Sequence, residues 1–312
     1  MISIISYSSN KAKKTSLNSL NPIRETSWID ISNTNEKELK QIYDKFGISM
    51  SHLRNCLKKR ELPHLVNTTK YSLIVFASPD NSHTSPLGIF VSKRYILTIH
   101  FKKINSLEEL KKTILKKEDK NLLKSGSHFL AHKIMFEILK DYGENITKIE
   151  DEIDRLENKV FKNASENEVQ NVFSLKRKLL FFRRSLAGNH GVVLDLQKET
   201  SSFMPVKIYS NFTFLYHEVS QIISDVDLCR ERLTQIMDMY MSCVSNKMND
   251  AMKSFTVVAS LILIPTLLSG IWGMNFMKIP WYHNTYGFYF PIILMIASVI
   301  IMLIFFRLKK WI

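Results

Sequence analysis

The feature that most constrains this chain is a pair of long apolar runs near its C-terminal end. Residues 255–274 and 287–306 each span about 20 positions without a charged side chain, and no acidic residue follows Asp250. At 1.5 Å per residue, a helix of that length crosses the roughly 30 Å hydrocarbon core of a bilayer. Core helices of soluble proteins seldom run so far uncharged, and neither run is placed where a signal peptide lies. The sequence predicts two membrane-spanning helices, over 255–275 and 287–306, joined by a connector at 276–286.

Flanking charge sets the expected topology. Arg307, Lys309 and Lys310 follow the second run as a basic tail over 307–312, and Lys247 and Lys253 precede the first. Apart from tyrosines, the connector holds only Lys278 and His283 as ionisable side chains. Positive charge stays on the cytoplasmic side, so both termini are expected in the cytoplasm, with the chain a multi-pass protein of the cell inner (plasma) membrane. Trp272, Trp281, Tyr282, Tyr286, Phe288 and Tyr289 gather around the connector as an interfacial aromatic belt would. The net charge is +14, from 43 basic and 29 acidic residues. Its lysines are dispersed over amphipathic segments and accompany no nucleic-acid motif, so membrane lipid is the expected partner and nucleic acid is not. Cys56, Cys229 and Cys243 lack metal-ligand spacing and read as ordinary thiols of a reducing compartment.

Ahead of the spans, residues 1–25 are polar and basic without a clear period and read as a poorly ordered start. A small α/β domain is expected over 26–105. It holds a strand at 28–31 and a helix opened by Asn33 or Thr34 and stopped at Phe46-Gly47. A short helix at 51–59 and strands at 71–77, 87–91 and 95–101 complete it. Residues 106–205 carry only helical periods, at 107–115, 129–161 and 169–196, with Asn189-His190-Gly191 read as an interruption. The alternating charges of the middle helix, among them Lys148, Glu150, Asp154 and Glu157, read as a solvated face. From about 206 the helical pattern continues to Met274, so a stalk over 206–254 enters the first span without a loop. Such a helix, on the order of 100 Å long, needs lateral partners. The fold class expected is an α+β cytoplasmic domain followed by a long stalk helix and a two-helix transmembrane hairpin.

One stripe of the long helix holds Met248, Met252, Phe255, Ala259, Leu263, Thr266, Gly270 and Gly273, all within about 80° at 100° per residue. In a symmetric ring this stripe would line a narrow pore with hydrophobic constrictions. Small residues also mark tight helix packing in membranes, and periodicity alone leaves both readings open. No Ser/His/Asp, Cys/His or paired-carboxylate arrangement stands out, so an enzyme is not expected. A membrane-tethered scaffold or sensor is the competing class.

The first run closes on Gly273-Met274-Asn275, with Asn249, Met252, Thr256, Pro265 and Thr266 before it and a second span after it. This pattern resembles the CorA family, whose stalk helix runs into a Thr-initiated span with a mid-span proline and a Gly-Met-Asn signature. Trp28-Ile29-Asp30-Ile31, Phe46-Gly47-Ile48 and residues 71–76 are similar to family landmarks in the same order, so the resemblance covers nearly the whole chain. It implies a funnel-shaped homopentamer that passes divalent cations passively, Mg²⁺ first and often Co²⁺ or Ni²⁺, without an organic cofactor. Gly273, Met274 and Asn275 would form the ion selectivity filter. Thr266, Leu263, Ala259, Phe255, Met252, Asn249 and Met248 would line the pore below it. In the family, regulatory Mg²⁺ sits between an acidic pair of the first domain and a stalk aspartate. The aspartate matches Asp238, but the pair falls on Arg54 and Asn55, so this regulatory metal site is expected to be weakened. A salt bridge from Arg54 to Asp238 of a partner subunit would be a metal-free substitute, and an Arg54 that merely points into water is the other reading. Two further departures are a connector without an acidic residue and Trp272 in place of the family's tyrosine. A zinc transporter of the same superfamily is the runner-up.

Overall fold

The computed structural model describes residues 2–8, 11–17, 26–58, 61–80, 83–116, 125–162, 165–198, 209–274 and 286–311. Seven strands form one sheet in the order β2-β1-β3-β7-β6-β5-β4. They are β1 (Ile2–Ser8), β2 (Lys11–Thr15), β3 (Thr26–Ser32), β4 (His64–Asn67), β5 (Ser72–Asp80), β6 (His83–Val91) and β7 (Tyr95–His100). Neighbours pair antiparallel except β3 with β7, where Trp28 faces Ile96 and Ile31 faces Ile99. Two helices, α1 (Glu36–Phe46) and α2 (Met50–Cys56), supply Leu39, Ile42, Phe46, Leu53 and Cys56 to a core shared with Ile29, Ile31, Leu73, Val75, Phe90, Leu97 and Ile99. Cys56 packs so closely that a Cβ on Gly88 would lie 2.5 Å from its sulfur, which is why β6 carries glycine there. Burial pushes the Cys56 thiol up to about 12.

The capping chemistry of α1 is local and legible. Asn35, not Asn33 or Thr34, is the N-cap: its Oδ1 accepts from the Glu38 N–H at 2.9 Å, and the Glu38 carboxylate accepts from the Asn35 N–H at 3.4 Å. Gly47 ends the helix in the left-handed region at φ 67. Asn33 serves the turn before the helix instead, at φ 45 with its N–H donated to the His100 carbonyl.

Two expectations are corrected here. Residues 2–8 and 11–15, read as a structureless start, form the β1–β2 hairpin, with Ile4 opposite Ile29 and buried together with Ile5. Their polar partners Ser3, Ser6, Lys13 and Lys14 mask the period, and pairing with β3 decides the outcome; residues 18–25 lie outside the described set. The interruption expected at Asn189-His190-Gly191 is absent too, because α5 (Glu166–Lys198) runs through it as continuous helix. Asn189 is the reason the segment is polar. β4 reaches no further than His64, opposite Val75, so no strand meets Ala77 on that edge. The buried Asn189 carboxamide takes both polar groups of Ala77, accepting from its N–H at 2.8 Å and donating to its carbonyl at 2.9 Å. Gly188 beside it lets Pro63 approach to within 2.8 Å of where a Cβ would stand.

A buried charge cluster fastens α3 (Asn105–Leu115) to the sheet. The Asp30 carboxylate on β3 receives the Lys111 ammonium at 2.6 Å, His100 Nε2 at 3.1 Å and the Thr98 hydroxyl. Trp28 Nε1 donates to Thr98 Oγ1 at 2.9 Å, and Lys111 also reaches Glu108 at 2.6 Å. Burial pushes the Asp30 carboxyl up, but His100 and Lys111 outweigh it and hold it below its ordinary value. For Lys111 burial acts downward, and Asp30 with Glu108 outweighs it and holds the ammonium above its ordinary value.

The helices α4 (Ser127–Lys162), α5 and α6 (Tyr209–Trp272) pack with apolar residues such as Ile149, Ile153, Leu179, Phe182, Val226 and Leu233 inside. The charged face of α4 is not wholly solvated, since Arg232 of α6 bridges Asp154 at 2.5 Å and Glu157 at 3.2 Å. The chain divides into two compact bodies, residues 1–160 with 165–237 and residues 161–164 with 238–312. The second body contains the far part of α6 and α7 (Tyr289–Leu308).

Candidate functional site

Two helices are long and apolar enough to cross a membrane, within Asn211–Trp272 and over Tyr289–Leu308. Only 6 % and 11 % of their most apolar stretches are buried, so the chain by itself does not cover them. On α6 and just past its end every member of the stripe is exposed, Met248, Met252, Phe255, Ala259, Leu263, Thr266, Gly270 and Gly273, as is Asn249 beside it. Phe255 is 72 % exposed and Leu263 67 %, part of a contiguous apolar surface of the kind that marks a membrane or partner contact. Exposure is not confined to the stripe: Val258, Leu267 and Ile271 on other faces are exposed as well, and Val257 is buried.

Local geometry gives the stripe its chemistry. Thr266 Oγ1 donates to the Ile262 carbonyl at 2.7 Å and Thr256 Oγ1 to the Met252 carbonyl at 2.8 Å. With its proton spent on the helix, Thr266 turns only lone pairs outward, which suits a cation or the waters around one. Pro265 sits inside the helix and removes the N–H that the Leu261 carbonyl would accept. The helix tightens where it ends: Gly273 N–H reaches the Ser269 carbonyl at 2.9 Å and Met274 N–H the Ile271 carbonyl at 3.3 Å. A side chain on Gly273 would crowd the Ser269 carbonyl at 3.1 Å. Asn275, Lys278, Trp281, Tyr282 and His283 lie outside the described residues.

The residues read as a weakened regulatory site fall in different bodies, Arg54 and Asn55 on α2 and Asp238 on α6. The structure supplies a partner for Arg54 that sequence reasoning missed. Its Nε and Nη2 donate to the two oxygens of Glu36 at 3.1 and 2.9 Å, and this bond holds the Glu36 carboxyl below its ordinary value. Only the packing of α1 on α2 brings the pair together. Among the described residues Asp238 is exposed and makes no ion pair, and no group of three or more His, Cys, Asp or Glu could hold a metal.

Comparison with known proteins bears on the chain as a whole. The family described as CorA-like Mg2+ transporter protein matches residues 24–310. The cobalt/magnesium transport protein CorA of Methanocaldococcus jannaschii is 31 % identical over 91 % of each chain. Its complete structure superposes with a TM-score of 0.92 at 29 % identity, covering 100 % of this chain and 99 % of that one. The cobalt/magnesium transport protein CorA of Thermotoga maritima is 27 % identical over 96 % of this chain and 88 % of its own. The zinc transport protein ZntB of Photorhabdus laumondii is more distant, at 21 % over 91 % and 87 %.

Proposed function

Because this chain belongs to the CorA-like Mg2+ transporter family, we propose that it is a passive channel for divalent cations, Mg²⁺ first and Co²⁺ or Ni²⁺ with it. The observation that carries this reading is the fully exposed stripe of α6, which leads through a charge-free helix to Gly273-Met274-Asn275. Copies of the chain assembled as a homopentamer would turn the stripe inward and cover it, with α7 toward lipid.

Asn275 carboxamides and Gly273 carbonyls meet the ion at the external mouth, with Met274 completing the filter. Neutral oxygen dipoles suit Mg²⁺, which gives up its water reluctantly. Thr266 forms a further ring of acceptors. Leu263, Phe255, Met252 and Met248 close the path by excluding water, and Ala259 and Asn249 line it between and below them. The membrane potential drives the flow inward, at about 4.6 kcal/mol for a divalent ion per 100 mV. The chain works in the cell inner membrane with both termini in the cytoplasm and performs no covalent chemistry. Regulatory Mg²⁺ binds weakly or not at all at Asp238, because Arg54 and Asn55 replace the carboxylates that would share it.

A second reading, Zn²⁺ transport, draws on the ZntB relative and on the lack of an acidic residue over 276–290. The higher identities of the cobalt/magnesium proteins favour Mg²⁺ and Co²⁺. The test is rescue of Mg²⁺-starved cells that lack their own uptake system. Wild type restores growth, whereas Asn275→Ala and Asn275→Asp assemble normally and lose or grossly alter Mg²⁺ uptake. Normal flux and ion ranking in both variants would place the filter elsewhere, and rescue blocked by Zn²⁺ but not Co²⁺ would favour the second reading.

A further inference from the structure

Helix α7 ends on a built cap. Lys310 adopts the left-handed conformation at φ 56, Trp311 N–H donates back to the Phe306 carbonyl at 3.0 Å, and Lys310 N–H donates to the Arg307 carbonyl at 3.1 Å. This is the Schellman pattern, with lysine where glycine is usual. Its apolar clasp is the Trp311 indole stacked on the Phe306 ring, with centroids 5.7 Å apart and planes 20° apart. The indole is thereby laid over the last turn of the apolar helix.

The same level of the second body carries more positive charge. Trp272 of α6 and Phe290 of α7 touch at the other end of the hairpin, with ring centroids 6.0 Å apart. Val257 and Phe306 stand almost equally far along their helices from that contact, and both are buried. The two helices therefore run antiparallel, and by residue count Val257 and Lys253 lie toward the end of the hairpin that carries Phe306, Lys309 and Lys310. Asp250 is the last acidic residue of the chain and is held by Lys253 at 2.9 Å. Arg307, Lys309 and Lys310 are exposed and have no acidic residue near them in sequence.

Cations with a flat aromatic at the end of an uncharged span match the chemistry of the layer where phospholipid phosphates lie. We propose that this end of the hairpin binds the headgroup phosphate of an anionic phospholipid. Arg307, Lys309 and Lys310 supply the charge, and the stacked Trp311 forms the apolar floor against which the glycerol and upper acyl chain rest. A soluble phosphate would use the cations but gain nothing from the indole, so the lipid is the occupant. The site rests on the reading of α6 and α7 as membrane spans.

The experiment uses the full-length protein in phosphatidylcholine vesicles carrying spin-labelled phosphatidylglycerol or spin-labelled phosphatidylcholine, and reads the association of each label with the protein. Phosphatidylglycerol should associate at least about fivefold more strongly, the worth of one cation at such a surface. Lys309→Gln combined with Lys310→Gln should bring the two lipids near parity, Lys309→Arg with Lys310→Arg should keep the preference, and Trp311→Ala should weaken it. Inorganic phosphate should not displace the label. Equal association of the two lipids with wild type, a preference unchanged by the glutamines, or displacement by inorganic phosphate overturns the proposal. Failure to enter pure phosphatidylcholine vesicles is a separate result, and it would overturn the reading of the spans from which the proposal starts.

Discussion

Strand β7 and most of β5 and β6 are buried, and Trp28, Phe76 and Phe90 are at most 1 % exposed. In the second body Val257, Pro291 and Phe306 are the buried residues among those described, although its sequence is the more apolar of the two. The first body thus satisfies its hydrophobic surface within one chain, as a folded domain in water must. The second leaves its surface bare and needs lipid and further copies to cover it. Hydrophobicity in the first body specifies a fold, whereas in the second it specifies surroundings and leaves the fold to a helical backbone that bonds itself.

The widest expected gap between the two bodies comes from truncating one apolar residue in each. Phe76→Ala should destabilise the sheet by about 3–5 kcal/mol, read as faster amide hydrogen exchange throughout β5–β7. Leu263→Ala, at an exposed position, should leave that exchange unchanged while altering ion flux. Similar exchange effects from both would mean that the bodies do not differ in this way.

Charge offers the next test, because the first body can bury it only when paired. Asp30→Asn should cost about 3 kcal/mol by removing the buried charge shared by Lys111 and His100, which leaves Lys111 with Glu108 alone. The sign of the pH dependence follows from the directions of the two groups. Asp30 is held low, so its contribution is present above the ordinary carboxylate value near 3.9 and is lost as pH falls through its folded value. Lys111 is held high, so its contribution is present below about 10.4 and is lost as pH rises through its folded value. The contribution of the Asp30–Lys111 pair should therefore be flat from about pH 5 to 10, and the variant should lose part of the acid limb.

A smaller effect is expected where one side chain replaces a missing strand. Asn189→Ala leaves the Ala77 N–H unpaired and its carbonyl with only the Tyr142 hydroxyl at 3.3 Å, at about 2 kcal/mol. Local exchange at the end of β5 should report it, with α5 remaining helical. If the amides there stay protected, a bond other than the Asn189 carboxamide closes that edge.

The smallest change in stability is expected at Arg54, whose pair with Glu36 is exposed at 57 % and 66 %. Arg54→Ala should not shift the unfolding transition. Its use lies in the regulatory reading. Channel closure should respond little to cytoplasmic Mg²⁺ from micromolar to tens of millimolar in wild type and in this variant. A sharp inhibitory transition that vanishes in Asp238→Asn and persists in Arg54→Ala would show that metal still binds at the stalk.

What was legible in the sequence alone shares one property: each signal is local or periodic along a single helix. The two uncharged runs, the unbroken helix that became α6 and the Gly47 stop needed no knowledge of distant residues, because helices bond within themselves and a bilayer asks only for length and absence of charge. What tertiary structure decided depends on partners far along the chain. The β1–β2 hairpin exists because β3 offers it a ladder, and Asn189 sits in an unbroken helix because Ala77, over a hundred residues earlier, has backbone groups to satisfy. Arg54 finds Glu36 only after α1 and α2 pack on the sheet, and Asp30 keeps its charge only because His100 and Lys111 meet it there. Strand pairing and buried charge compensation are non-local bonds, and a sequence records their ends without recording which ends meet.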